Sequence, residues 1–380
     1  MRIISNPFKY GGVVGKTAFC NRKQELADLS RAMENGDRLL LYSERRLGKT
    51  SLVKLALSDL PRKDYLWAYV DLWPTDGEAS FAAAIAKAIT ESLASTADKM
   101  LAVAKGFFGG LAPTISADSS GNPQISFQLG GNASLLPELH EVLKAPAEIA
   151  KSRKRKVVLV LDEFQRILEY GSDQAERTLR SAIQDQENVA FIFLGSRKHL
   201  IQKMFLDQNR PLYRAGGHYP LGPIETAAWK PFIQSRFTRT NKSISAEVTQ
   251  ELCEATGGHP FYTQHLCHAA WELCERGAEA STETITEAID LLLERESYAY
   301  TALWESFAVN QRRFLSGLAQ AERGVEVFGS SFIKQNNLKS ASSAQRVVEN
   351  LLERDVIDRE EGSYFIADRF FHLWVKGRVG

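Results

Sequence analysis

The sequence predicts an α/β protein whose parallel sheet is covered by helices on both faces, followed by a helical region and a small mixed one. Three observations carry this. From about residue 20 to residue 225, short apolar runs alternate with helical patterns. Two of the runs, Val157–Leu161 and Ala190–Leu194, contain no polar residue, as strands buried on both faces do. From Thr226 the pattern becomes purely helical through about Ala302.

The elements follow in order. Glu25–Met33 reads as a helix and Arg38–Tyr42 as a short strand. Ser51–Ser58 is helical, Leu66–Leu72 a strand, and Phe81–Leu93 helical again. Pro113–Leu129 alternates with period two on either side of Ser119-Ser120-Gly121-Asn122-Pro123, which reads as a hairpin inserted in the α/β domain at about 113–129. In the last 80 residues, Gln311–Ala319, Ser331–Asn336 and Ser342–Arg354 read as helices. A terminal hairpin, Val356–Asp358 with Ser363–Ile366, turns at Glu361-Gly362. The expected domains are therefore 1–225, 226–302 and 303–380, the last a winged helix-turn-helix.

Composition excludes several classes. The 380 residues are 44% hydrophobic and 24% charged, with 47 Lys+Arg against 46 Asp+Glu and a net charge of +1. That is ordinary globular composition, neither disordered nor strongly basic. The opening Met1–Pro7 has no apolar run of the length a secretory leader needs. Phe81–Leu93 and Leu101–Leu111 are too short and too interrupted to span a membrane. Four cysteines fit a reducing cytoplasm and not a disulfide scaffold. Cys253, Cys267 and Cys274 lie near His265 and His268, but with no Cys-x-x-Cys pair they read as buried thiols, not zinc ligands. The basic run Lys151–Lys156 reads as a solvated strand entry.

Gly-Lys-Thr occurs twice, and context separates the copies. Gly15-Lys16-Thr17 follows Gly11-Gly12 with no strand before it, and reads as a loop coincidence. Gly48-Lys49-Thr50 follows the strand Leu39–Tyr42 and opens the helix Ser51–Leu55, which is the setting of a phosphate-binding loop. Main-chain N–H groups of such a loop and of the helix start converge on one point, where the helix dipole also favours an anion. The segment Ser43, Arg45, Arg46, Leu47, Gly48, Lys49, Thr50 and Ser51 is thus the candidate nucleotide cradle. Lys49 is expected on the β- and γ-phosphates of ATP and Thr50 on Mg²⁺. The motif asks for glycine where this chain has Ser43, so the loop must either avoid positive φ there or carry strain.

Val157–Leu161 ends in Asp162-Glu163, placing two carboxylates at the carboxyl end of a central strand, where ligands of open α/β sheets bind. Asp162 is the candidate Mg²⁺ acid and Glu163 the group that orients or deprotonates water. Asp162 as a helix N-cap is the competing reading. Ala190–Leu194 ends in Gly195-Ser196-Arg197, and Ser196 is the candidate γ-phosphate sensor or a cap of the next helix.

Together Arg45–Leu52, Leu161-Asp162-Glu163-Phe164-Gln165, Gly195-Ser196 and Gly257-Gly258-His259-Pro260-Phe261-Tyr262 resemble the archaeal-type P-loop ATPase family. That family belongs to the AAA+-related group that includes the STAND signalling ATPases, and is similar to origin-recognition ATPases. The likeness starts at Asn6-Pro7-Phe8 and Phe19-Cys20-Asn21-Arg22 and ends in a winged helix. It implies a P-loop NTPase sheet, ATP binding through Lys49, Thr50 and Asp162, and hydrolysis through Glu163. It also implies that the segment near Arg22 and the lid residues His259 and Pro260 close over adenine and phosphate. The family usually has Gly-Pro where this chain has Ser43-Glu44, and a carboxylate beside phosphates weakens binding unless it points away or pairs with Arg45. Arg197, Arg210 and Arg214 are weighed as arginine fingers against surface or ion-pairing roles.

Across residues 301–380 eleven Lys/Arg face ten Asp/Glu, too balanced for strong phosphate neutralisation. A protein partner or self-association is therefore expected over DNA, which stays open through Gln345, Ser342 and Ser343. The leading expectation is an ATP-driven switch closing the lid and winged helix. A DNA-binding ATPase and a non-hydrolysing nucleotide scaffold are the other classes.

Overall fold

The computed structural model describes residues 5–109, 111–128, 139–360 and 362–379. Met1–Ile4, Leu129 and the turn residue Glu361 named above lie outside them. The chain forms two compact units, an α/β unit, Arg22–Gly222, and a helical unit, Met1–Asn21 with Pro223–Gly380.

The α/β unit runs α1 (Lys23–Asn35), β1 (Arg38–Tyr42), α2 (Lys49–Asp59), β2 (Tyr65–Asp71), α3 (Glu78–Leu93) and α4 (Ala97–Phe107). The hairpin β3 (Ala112–Ala117) and β4 (Pro123–Gln128) follows, then α5 (Leu139–Arg153), β5 (Lys156–Asp162), α6 (Gln174–Ile183), β6 (Val189–Gly195), α7 (Lys198–Leu206) and β7 (Gly217–Pro220). A 3-10 helix, Phe164–Glu169, leaves the end of β5. The sheet order is β2-β5-β6-β1-β7, and every pair is parallel. Val157–Asp162 of β5 and all of β6 are buried, which is why those runs carry no alternation. Apolar residues of both faces, among them Phe81, Ile85, Leu143, Leu159, Leu179 and Phe193, form one core. The hairpin turns where expected, with the Asp118 carboxylate accepting from the amides of Ser120 (2.8 Å) and Asn122 (2.9 Å).

The helical unit contains α8 (Thr226–Arg239), β8 (Ser243–Ile244), α9 (Ala246–Thr256), α10 (Pro260–Leu273), β9 (Glu279–Ala280) and α11 (Thr282–Glu305). It ends with α12 (Val309–Gln320), α13 (Ser330–Gln335), α14 (Ala341–Glu353), the hairpin β10 (Ile357–Glu360) and β11 (Ser363–Ile366), and α15 (Arg369–Val379). The helical part and the winged-helix part share one apolar core.

Three features differ from expectation. The chain does not end on the hairpin: α15 follows, burying Phe370, Phe371 and Val375. The N-terminal residues group with the helical unit and not with the sheet, because Phe8 and Cys20 join the core of Trp229, Ile233 and Phe237. The sheet also has a fifth strand, β7, beside β1. The first Gly-Lys-Thr copy forms only one 3-10 turn, Lys16–Ala18, with no strand leading into it.

Candidate nucleotide-binding site

β1 delivers the loop. The amide of Ser43 donates to the Gly195 carbonyl at 3.3 Å, so the last ladder bond between β1 and β6 fixes where the loop departs. Ser43 is fully buried and does not take a positive φ, so the serine sits where glycine was expected without backbone strain. The left-handed steps fall at Arg46 (φ 61°) and Gly48 (φ 89°). At Gly48 a Cβ would meet nothing within 4 Å, so glycine is demanded by backbone conformation and the space above it is open. Leu47 is buried and anchors the loop from below, while Arg45 and Arg46 are exposed. α2 begins at Lys49, with the first helical bond from the Leu52 amide to the Gly48 carbonyl (2.9 Å). The first turn of α2, with Ser51 in it, lies at the positive end of the helix dipole, where main-chain N–H groups favour an anion.

The Lys49 side chain is buried. Its Nζ donates to Ser43 Oγ (2.8 Å) and to the carbonyls of Ser43 (3.3 Å) and Glu44 (3.0 Å). Burial pulls its pKa down to about 8, against the opposing pull of Glu163 and Asp162. Glu44, the other departure from the motif, is buried and its carboxylate lies 3.9 Å from Lys198 Nζ. That cation offsets part of the charge that would otherwise oppose phosphates.

Asp162 ends β5. Its Oδ1 accepts from the Glu163 amide (2.8 Å), and its Oδ2 from Thr50 Oγ1 (3.2 Å) and the Tyr69 hydroxyl. The loop helix and the acidic strand thus meet at one point. A hydroxyl and a carboxylate are the hard oxygen donors that Mg²⁺ takes, so the residues fit that ion. The helix-cap alternative for Asp162 does not hold: the 3-10 helix that follows is preceded by Glu163, with no side-chain cap.

Glu163 holds a left-handed backbone (φ 54°), uncommon for a residue with a Cβ and found where the surrounding structure imposes it. Its Oε2 accepts from Gln165 Nε2 (2.5 Å) and Ser196 Oγ (2.9 Å). Ser196 is buried at the end of β6, and makes no side-chain cap to α7, whose cap position is Arg197. Gly195 explains how α7 comes so close: a Cβ there would lie 2.4 Å from Ile201 and 3.1 Å from Gln165 Oε1.

The remaining candidates are described within their own units. Arg22 is buried just before α1, its guanidinium bonded to Glu25 (2.7 Å) and the Gly222 carbonyl (2.6 Å). His259 and Pro260 start α10 of the helical unit, where the His259 ring packs 4.7 Å from Tyr262. Arg210 pairs with the buried Glu176 and Arg214 covers the Tyr213 ring (5.1 Å), both inside their own unit. Sequence reading missed Tyr69, assigned no role to Gln165 and did not pair Glu44 with Lys198. The only signal for Tyr69 was its place in the strand two residues before Asp71.

A profile described as an ATPase domain predominantly from Archaea matches residues 19–266, and one of a probable winged helix domain matches residues 298–377. No curated protein matches the sequence. Among solved structures, the Walker-type ATPase of Pyrococcus abyssi is 16% identical with a TM-score of 0.65, over 95% of this chain and 97% of that one. The Aeropyrum pernix ORC2 protein, solved as ADPNP-ADP complexes, is 13% identical with a TM-score of 0.53, over 94% and 93%. These likenesses speak for the fold, a P-loop α/β sheet carried on one chain with a winged helix. The first profile spans well over half of the chain and takes in the loop, the acidic strand and the Ser196 strand, so the chain belongs to the family of ATPase domains found predominantly in Archaea.

Proposed function

We propose that the chain binds Mg-ATP between Ser43 and Ser51 and hydrolyses it to ADP and phosphate. The observation that supports this most directly is the meeting of Thr50 and Asp162 at 3.2 Å, with Lys49 and Glu163 on either side. Bound Mg²⁺ would neutralise phosphate charge, held by Thr50 and Asp162. The loop amides and Lys49 bind the triphosphate. Glu163, fixed by Gln165 and Ser196, orients a water and takes its proton as that oxygen bonds to the γ-phosphorus and the bond to the ADP oxygen breaks.

The two-unit architecture supports a second part of the proposal, that the nucleotide acts as a switch. In this reading the α/β unit carries the nucleotide, and Arg22, His259 and Pro260 respond to it. ATP then favours a closed state of the lid and winged helix only through its greater affinity for that state. The resemblance to AAA+ and STAND-type ATPases motivates this. The partner we propose is a protein or a second copy, because α14 and the turn after it carry Arg346 and Arg354 against Glu349, Glu353 and Asp355. DNA binding by the winged helix is the alternative, and absence of duplex binding in a low-salt titration eliminates it. Among the described residues no helix is long and apolar enough to cross a membrane. The four cysteines are buried, and the setting we propose is the cytoplasm.

The deciding experiment is binding of a fluorescent ATP analogue to the wild type and to Lys49→Ala. Loss of binding supports the reading, and undiminished affinity refutes it. Phosphate release by the wild type no faster than by Glu163→Gln would leave a nucleotide-bound scaffold.

A further inference from the structure

Asp162 is held from two sides, and the loop supplies only one of them. β2 and β5 pair so that Tyr69 lies beside Val160 and Asp71 beside Asp162. Strand side chains repeat every two residues, so Tyr69 and Asp162 share a face of the sheet, one step apart on neighbouring strands. The Tyr69 hydroxyl donates to Asp162 Oδ2, the same oxygen that accepts from Thr50 Oγ1. The other oxygen, Oδ1, accepts from the Glu163 amide at 2.8 Å. Each carboxylate oxygen therefore has its own donors, and the group cannot rotate without breaking them. The Tyr69 ring is itself fixed, with Lys54 Nζ of α2 lying over it at 4.9 Å.

We infer that Tyr69 is a positioning residue of the metal site: it fixes which oxygen of Asp162 faces Thr50, and so presets the carboxylate for a divalent cation. This rests on the Mg-ATP reading above. Groups that orient a metal's ligands cost about 10- to 100-fold in metal affinity when removed. Tyr69→Phe deletes one oxygen and keeps the ring.

The test titrates MgCl₂ into wild type and Tyr69→Phe in the presence of a fluorescent ATP analogue, and repeats analogue binding in EDTA. The expected result is a rise of about tenfold in the Mg²⁺ concentration at half-saturation, with affinity in EDTA unchanged. An unshifted Mg²⁺ dependence overturns the inference while leaving the nucleotide site standing. So does an equal loss with and without the metal, which marks a merely structural tyrosine. A wild type whose analogue binding ignores Mg²⁺ overturns this inference together with the metal assignment of Thr50 and Asp162.

Discussion

The ammonium of Lys49 sits 2.8 Å from the hydroxyl of Ser43, six residues earlier in the same loop. The residue that departs from the phosphate-loop motif therefore acts on the residue that defines it. The Ser43 hydroxyl donates its own hydrogen bond to the Glu44 carbonyl (2.8 Å), which leaves a lone pair of Oγ to accept from the lysine. A phosphate that recruits Lys49 must compete with this oxygen and with the two loop carbonyls.

Replacing Ser43 by glycine should therefore tighten nucleotide binding. A hydrogen bond to a charged group is worth about 1.5–3 kcal/mol, and the carbonyls recover part of it, so a gain of about tenfold in affinity is expected. A modest loss of stability, about 0.5–1 kcal/mol, should accompany it because glycine is freer in the unfolded chain. Fluorescent-analogue titration of Ser43→Gly reads the first, and urea unfolding the second. Equal or weaker binding would show that the Ser43 hydroxyl does not hold the lysine back.

The same burial makes the stability of the fold depend on pH. Lys49 has a pKa of about 8 when folded, against 10.5 when exposed. Below about pH 8 both states carry the proton, and the cost of burying the charge is fully present. Between about pH 8 and 10.5 only the unfolded chain keeps it, so this residue's contribution to stability rises with pH. The span corresponds to about 3 kcal/mol at most. Lys49→Met should be more stable than the wild type at pH 7, with the difference shrinking toward pH 10. Unfolding curves of both proteins across that range check this, since the other titrating groups cancel in the comparison.

Ser196 and Gln165 converge on one oxygen of Glu163, and neither contact touches the loop. Loss of either should loosen the carboxylate and slow hydrolysis without weakening binding. For Ser196→Ala and for Gln165→Ala we expect turnover to fall about tenfold, below the 10²-fold that a full ångström of misplacement can cost. Affinity for the ATP analogue should stay within about twofold. Single-turnover phosphate release measured beside equilibrium binding separates the two quantities.

What the sequence made legible follows from where the information lies. β5 and β6 announced themselves because strands buried on both faces read as near-continuous apolar runs, here Val157–Leu161 and Ala190–Leu194. β7 did not: Gly217-His218-Tyr219-Pro220 is a four-residue strand of mixed character. Its identity comes from its partner β1, since a Cβ on the preceding Gly216 would lie 2.6 Å from the Arg38 carbonyl. The start of α15 was signalled by Asp368, whose carboxylate accepts from the amides of Phe370 (2.9 Å) and Phe371 (3.0 Å), yet the hairpin before it suggested an end. In the candidate site, the expectation that Lys49, Thr50, Asp162 and Glu163 lie near one another could be formed because each pair directly follows a strand-to-loop transition that the sequence displays. Tyr69 was not legible, because its role depends on the register between β2 and β5, and register is a property of the folded sheet.

Gly195 offers the sharpest probe of how packing reaches the chemistry. It lies between Phe193–Leu194 of the buried strand and Ser196, with Ile201 of α7 pressed against its Cα. In Gly195→Ala the new methyl would stand 2.4 Å from the Ile201 side chain, so α7 or the strand end must shift. Overpacking of this kind costs about 1–3 kcal/mol. The methyl would also lie 3.1 Å from Gln165 Oε1, and displacing that amide disturbs its bond to Glu163. Stability and turnover should therefore fall together. Shortening the neighbour separates the effects: an Ile201→Ala background removes the two nearest atoms, at 2.4 Å, and the added cost of Gly195→Ala should drop by about 1–2 kcal/mol, a coupling typical of residues in contact. Additive costs in the double mutant would mean that the alanine is resisted by the backbone and not by Ile201. Turnover that stays depressed in the double mutant would trace the catalytic loss to Gln165 directly.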